Sequence, residues 1–134
     1  MSVVEERLAR ARAKMVELFG PGGADEKGVL FEMAPQFAQL SREVLFGAVW
    51  SDPALETRLR SIATMSALIV LDRQPELKLH MRGALNLGIT REQIIALISH
   101  LAFYGGMPVA VHSLHTAREV LLAAEAREKK GKGQ

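Results

Sequence analysis

The chain has 134 residues, of which 49% are hydrophobic and 24% charged, with no cysteine and a formal net charge of +2 at pH 7. This length fits one domain, and the lack of cysteine excludes disulfide bonds, thiolate metal sites and cysteine-based catalysis. Residues 127–134 carry four basic side chains and one acidic, so their charge is +3 and that of residues 1–126 is about −1. The basicity therefore indicates a solvated, disordered tail and not a nucleic-acid-binding patch.

The N-terminal residues predict one amphipathic helix from Val3 to Leu18, with apolar side chains at helical spacing. This segment is charged and lacks the apolar stretch of a secretory signal, so we expect a cytoplasmic protein. The glycine-rich residues 19–23 end the helix.

A second helical region runs from Val29 to Trp50, and Pro35 restarts it because proline suits a first helical turn. A turn at residues 51–53 follows, with Pro53 opening a third helix from Ala54 to Leu71. The apolar part of that helix is too short to span a bilayer, so no membrane partner is expected.

Residues 72–75 break the chain before a fourth helix from Pro75 to Leu87. Gly88 suits the left-handed conformation that commonly follows a helix. Thr90 and Gln93 have the spacing of a capping box that opens a fifth helix.

Gly105 and Gly106 close the fifth helix, and Pro108 opens a last helix that reaches about Ala126. No alternating, β-branched run predicts a strand. The sequence therefore predicts an all-α protein, a compact bundle of about six helices forming one domain over residues 1–126.

Glu76 and His80 lie four residues apart and so share one face of the fourth helix. A carboxylate one turn before an imidazole orients the ring and raises its basicity, which is the geometry of an acid/base pair. Gly83 and Ala84 are small and leave room beside His80. The alternative is an exposed helical pair that contributes a few tenths of a kcal/mol.

Two arginines flank the third helix and could clamp a carboxylate, since a guanidinium binds both oxygens. Arg60 lies where the helix becomes apolar, and Arg73 lies just beyond its end. Either arginine could instead pair with a neighbouring acid or with a helix C-terminus.

The remaining histidines are weaker candidates. His100 lies one turn before Tyr104 and is interpreted as a core histidine bonded to a carbonyl. His112 and His115 have a spacing at which two imidazoles could chelate a metal, but the sequence offers no third ligand, so no metal site is predicted.

Four segments in fixed order, FGAVW, DPALETRLRS, ELKLHMRGALNLGIT and HLAFYGGMPVAV, resemble the γ-carboxymuconolactone decarboxylase family of the alkyl hydroperoxidase D-like superfamily. The similarity runs from about Phe37 to Leu121. It implies an all-helical subunit, a homohexamer built as a trimer of dimers, and no metal or organic cofactor. A chain of this size with so many hydrophobic residues also leaves some apolar surface exposed, which favours a homo-oligomer.

The family's reaction removes CO2 from 4-carboxymuconolactone to give an enol-lactone in aromatic-compound catabolism. The resemblance thus implies a cofactor-free carboxy-lyase acting on a small anionic lactone. On this interpretation His80 and Glu76 are catalytic, and Arg60, Arg73 and Tyr104 bind the substrate. The lactone itself accepts the electrons, which is why no cofactor is needed.

The superfamily's thiol peroxidases place two cysteines where this chain has Arg73 and Glu76, so that activity is excluded. Family members usually carry a glutamate where this chain has Ala96, and commonly a glycine at the position of Asp72. Two alternatives therefore stay open: a related isomerase or hydrolase acting on a cyclic dicarboxylate, and a non-catalytic oligomer that binds a small anion.

Overall fold

The computed structural model describes residues 1–133, and within that range every regular element is helical, which confirms the predicted all-α class. The chain forms two units, residues 1–60 and a second that begins at Ser61. The boundary between the units falls inside one helix. None of the helices in the described residues combines the length and apolar character that crossing a bilayer requires.

The first unit consists of α-helices and a π-helical segment. Its elements are α1 (Val3–Phe19), α2 (Val29–Met33), α3 (Pro35–Ser41), the π-helical segment (Arg42–Val49) and the first turn of α4 (Thr57–Val70). Pro35 opens α3, as predicted. The predicted start of α4 at Ala54 is wrong, because the Asp52 carboxylate accepts a hydrogen bond from the Ala54 N–H at 3.0 Å and closes a turn instead.

Helix α1 packs closely against the π-helical segment. The Trp50 N–H donates to the Leu45 carbonyl five residues earlier, the pattern of a widened helical turn. Gly47 permits the contact, since a Cβ there would overlap the Arg7 carbonyl oxygen. Phe46 lies between the rings of Phe19 and Trp50, with centroids 5.9 and 6.2 Å away.

The second unit contains the rest of α4, followed by α5 (Gln74–Asn86), α6 (Arg91–Gly105) and α7 (Met107–Lys132). Helix α7 packs against both α5 and α6. All four helices contribute to an almost wholly aliphatic core that includes Met65, Ile69, Leu77, Met81, Ile94, Ile98, Ala117 and Val120. This core fixes which faces of α5 and α7 point outward.

The helix ends of the second unit follow the predicted signals. Thr90 and Gln93 form the capping box, with reciprocal hydrogen bonds of 3.1 and 2.9 Å. Gly88 has a φ of 84°, the left-handed conformation expected after α5. Helix α7 continues past Ala126, where the apolar pattern stops, to Lys132; the lysines of its last turn favour the extension because cations stabilise a helix C-terminus.

Candidate functional site

His80 lies on the edge of the buried face of α5. Leu77, Met81 and Ala84 point into the core of the second unit, and their spacing of three and four residues defines that face. His80 is one turn from Leu77 and Ala84 and is half-buried. Burial lowers the pKa of His80 below its ordinary value of 6.5, because the charged imidazolium loses solvation. The neutral imidazole is therefore the main form at pH 7.

Arg73 and Glu76 lie at the start of the same helix and are both exposed. Arg73 is the N-cap residue, and Glu76 lies in the first turn, where a carboxylate interacts favourably with the helix dipole. Glu76 precedes His80 by one helical turn. The sequence-predicted acid/base pair thus combines an exposed carboxylate with a half-buried imidazole.

A polar network holds the loop before α5. Asp72 has a φ of 57°, a left-handed conformation that few residues other than glycine, asparagine and aspartate adopt readily. Its carboxylate accepts a hydrogen bond of 2.9 Å from the Gln74 amide, and both of its oxygens lie 3.1 Å from Nδ1 of His112. The hydrogen bond from Gln74, and then that from His112, holds the pKa of Asp72 below its usual 3.8.

Gln74 extends the network to the middle of α7. Its amide donates to the Ser113 hydroxyl at 3.2 Å, and its carbonyl accepts from the Thr116 hydroxyl at 2.7 Å. Ser113 is fully buried. Arg73 therefore lies between two residues that are both tied to α7, which restricts the backbone that carries its side chain.

This network was not among the predictions from the sequence. Its members are about 40 positions apart, for example Asp72 and His112, and no local pattern indicates such a pairing. The one available signal was an aspartate at a position where the resembled family commonly has glycine, which is consistent with the positive φ.

Tyr104 lies at the end of α6 and is 74% exposed. Its ring lies against that of His100, with the centroids 5.0 Å apart and the ring planes tilted by 36°. His100 is itself exposed, so the interpretation of this histidine as a core residue is wrong: at this end of α6 its face points away from the core formed by Ile94, Ile98 and Leu101. Phe103 beside it is 89% exposed.

Arg60 belongs to the first unit. Its Nε donates to the Leu55 carbonyl at 2.9 Å, and Nη2 donates to the Asp52 carbonyl at 3.1 Å. The guanidinium thus closes the turn before α4. Its hydrogen-bond partners are loop carbonyls, and not the neighbouring acid or helix C-terminus considered as an alternative.

His112 and His115 have separate partners. His112 contacts Asp72, whereas Nδ1 of His115 lies 3.1 Å from Nη2 of Arg118. Among residues 1–133, no three histidine, aspartate or glutamate side chains come together as a metal site requires.

These features define an all-helical protein whose half-buried, neutral histidine follows an arginine and a carboxylate on one helix. A model of the carboxymuconolactone decarboxylase family matches residues 35–119, more than half of the chain. The chain therefore belongs to the carboxymuconolactone decarboxylase family, as the sequence segments predicted.

Two curated relatives are named decarboxylases. The 4-carboxymuconolactone decarboxylase of Acinetobacter baylyi is 39% identical over 75 residues, which is 56% of each chain. The nitrosuccinic acid decarboxylase of Metarhizium robertsii is 32% identical over 83 residues, 62% of this chain and 58% of the relative. The similarity thus spans little more than half the length of either relative.

A third relative extends over more of the chain at lower identity. An uncharacterized 15.0 kDa protein of Paracoccus denitrificans is 23% identical over 118 residues, 86% of this chain and 88% of that protein.

Proposed function

We propose that the chain is a decarboxylase that needs no cofactor and acts on a small dicarboxylic acid carrying its own electron-accepting group. The family membership and the two relatives named decarboxylases support this proposal. The two named substrates, 4-carboxymuconolactone and nitrosuccinic acid, share a chemical plan. Each is a dicarboxylate in which the carbon that bears one carboxylate is also linked to an electron-accepting group. This group is the unsaturated lactone in the first substrate and the nitro group in the second.

The reaction breaks the bond between that carbon and the carboxylate. CO2 leaves, and the electron pair moves into the lactone or nitro oxygen, so negative charge grows on oxygen. A proton then adds to the carbon. The protein must therefore bind a dianion, stabilise an oxyanion and supply a proton.

The neutral state of His80 supports a role at the growing oxyanion. A neutral imidazole donates a hydrogen bond without carrying a charge, as suits an oxyanion that exists only during the reaction. The half-burial of His80 carries this assignment, because it sets the pKa direction and limits competing water. Glu76, one turn away, is proposed to orient the ring.

Arg73 is proposed to bind a substrate carboxylate. It is exposed at the N-terminus of α5, where the helix dipole also favours an anion. The network through Asp72 and Gln74 restrains the backbone on both sides of it. Arg60 and Tyr104 stay predicted substrate-binding residues.

The decisive experiment follows CO2 release and the ultraviolet absorbance of 4-carboxymuconolactone and nitrosuccinate in separate reactions. We expect His80→Ala to lower turnover about 100-fold or more. His115→Ala is the matched control, because His115 is an exposed histidine on α7, and it should retain wild-type turnover. Circular dichroism of both variants checks the fold.

The remaining outcomes each decide against part of the proposal. Equal turnover in His80→Ala and wild type would remove His80 from the mechanism. Isomerisation or ring opening without CO2 would favour the related isomerase or hydrolase. Saturable binding with no turnover of either acid would favour a non-catalytic anion-binding protein.

We also propose that the protein assembles as a homo-oligomer, with the homohexamer of the resembled family as the specific expectation. The second unit exposes large apolar side chains on α6 and α7, namely Phe103, Met107, Val111, Leu114 and Leu122. Such a surface is typical of a subunit contact. Light scattering coupled to gel filtration tests the assembly, and a monomer at micromolar concentration would contradict it.

A further inference from the structure

The first unit contains a charged side chain that its own folding leaves incompletely bonded. Arg42, the first residue of the π-helical segment, is only 7% exposed. Its Nη2 donates to the Asp25 carbonyl at 2.8 Å, and its guanidinium carbon lies 4.7 Å from the centre of the Phe31 ring. Within residues 1–133, the buried Nε has no hydrogen-bond partner. An unmet N–H on a buried charge is costly.

A cavity of about 180 Å³ lies beside this guanidinium. Its walls combine apolar and polar side chains. Besides Arg42 they consist of Leu8, Arg12, Glu26, Phe31, Pro35 and Gln39. All of these residues belong to the first unit. A cavity of about 150 Å³ holds a benzene ring, so a compact carbon skeleton fits.

The polar groups of the cavity define the charge of an occupant. Two guanidinium groups, Arg12 and Arg42, oppose one carboxylate, Glu26, which leaves a net charge of +1 on the walls. Arg12 and Glu26 are exposed, and neither forms a hydrogen bond or ion pair with another described residue. One carboxylate on the ligand would balance this charge, whereas a second would meet Glu26.

We propose that this cavity binds a small monocarboxylate with a compact apolar body. The carboxylate accepts a hydrogen bond from the exposed Arg12 and lies beside the positive charge of Arg42, whose contacts within the fold are the Asp25 carbonyl and the Phe31 ring. The carbon skeleton packs on Leu8, Phe31 and Pro35, and Gln39 contacts polar substituents at the rim. Widened helical turns of the kind that begins at Arg42 occur frequently at functional sites. This site is independent of the reaction proposed for the α5 residues.

Calorimetric titration of the full chain with benzoate tests the site. We expect saturable binding of one benzoate per chain in the millimolar range or tighter. Arg12→Gln should weaken binding about tenfold, because it removes one charge-assisted contact. Arg58→Gln is the matched control, since Arg58 is an exposed arginine of the first unit outside the cavity, and it should bind as wild type does.

The choice of ligand is tested with three further probes. Inorganic phosphate offers charge without an apolar body, and benzyl alcohol offers the body without charge; both should bind more than tenfold more weakly than benzoate. Phthalate adds a second carboxylate and should bind weakly to wild type. Glu26→Gln should then improve phthalate binding while leaving benzoate binding within a few-fold of wild type.

A substitution of Arg42 would also remove its contacts within the fold. The test therefore depends on the two variants of exposed residues, Arg12→Gln and Glu26→Gln. Absence of saturable benzoate binding would overturn the proposal. So would benzoate binding that both Arg12→Gln and Arg58→Gln leave unchanged, since the ligand would then lie elsewhere. Phosphate binding as tight as benzoate would overturn the ligand class.

Discussion

The two units of the chain bury their interiors by different means. The second unit has an aliphatic core to which four helices contribute. In the first unit, the buried apolar side chains among the described residues are Ala11, Leu18, Ala38 and Trp50. There, close backbone approach at Gly47 and hydrogen bonds from α1 take the place of large apolar side chains. One of these hydrogen bonds runs from Arg10 Nε to the Gly47 carbonyl at 3.2 Å. We therefore expect added atoms to destabilise the first unit most, and removed atoms to destabilise the second unit most.

The largest expected effect is on the first unit. Gly47→Ala places a Cβ against the Arg7 carbonyl oxygen, a backbone atom that cannot rotate away. We expect a loss of more than about 3 kcal/mol in the free energy of unfolding, measured by urea denaturation. Gly131→Ala is the control, since nothing lies within 4 Å of its Cβ, and it should stabilise α7 by up to about 1 kcal/mol. Equal stability of Gly47→Ala and wild type would contradict the close approach.

Removing volume from the second unit should have the next largest effect. Leu77 is fully buried on α5, whereas Leu79 on the same helix is 45% exposed. Leu77→Ala leaves a cavity and should lower the free energy of unfolding by about 3 kcal/mol. Leu79→Ala should change it by less than about 1 kcal/mol. A similar loss in both variants would show that the core is not where the second unit derives its stability.

His80 should make the second unit sensitive to mild acid. Its folded pKa is lowered below 6.5 by burial, so as pH falls below 6.5 the unfolded chain takes up a proton that the folded chain does not. Stability therefore decreases with falling pH in this window, by less than about 1.4 kcal/mol per pH unit, the limit for one proton. Urea unfolding at several pH values should show a smaller decrease for His80→Gln. An identical pH dependence in the two proteins would contradict the burial.

The smallest effect is expected at Asp72, which is exposed. Its folded pKa is lowered below 3.8 by the hydrogen bonds from Gln74 and His112. The carboxylate therefore stabilises the fold above pH 3.8, and this contribution is lost as pH falls through the lowered value. Asp72→Asn, which still tolerates a positive φ, should be slightly less stable than wild type near neutral pH and equally stable in strong acid. A stability difference that is constant with pH would exclude this origin.

Local sequence signals predicted most helix ends but not the long-range contacts. Pro35, Gly88 and the Thr90–Gln93 capping box act within a few residues of themselves, and each was confirmed. The start of α4 failed because a turn formed by Asp52 competes locally with a helix. The interpretation of His100 as a core residue depended on contacts with other helices, and it was wrong because this histidine is exposed.

For the candidate site, the sequence placed Glu76 and His80 one turn apart on one helix, because helical spacing follows from the chain itself. It could not give the half-burial of His80, which depends on packing between helices. It also could not give the contact of Asp72 with His112 or the burial of Arg42, since charged residues are rarely buried and no spacing marks the exceptions.

Trp50 is the chain's one tryptophan and Tyr104 its one tyrosine. The indole is buried and lies against Phe46 of the first unit, whereas the phenol belongs to the second unit and is largely exposed. Indole emission consequently monitors the surroundings of Trp50, while far-ultraviolet dichroism monitors helices of both units. A difference between the two optical signals during denaturation would show, without any added label, that the surroundings of Trp50 are lost at a different denaturant concentration from the helices as a whole.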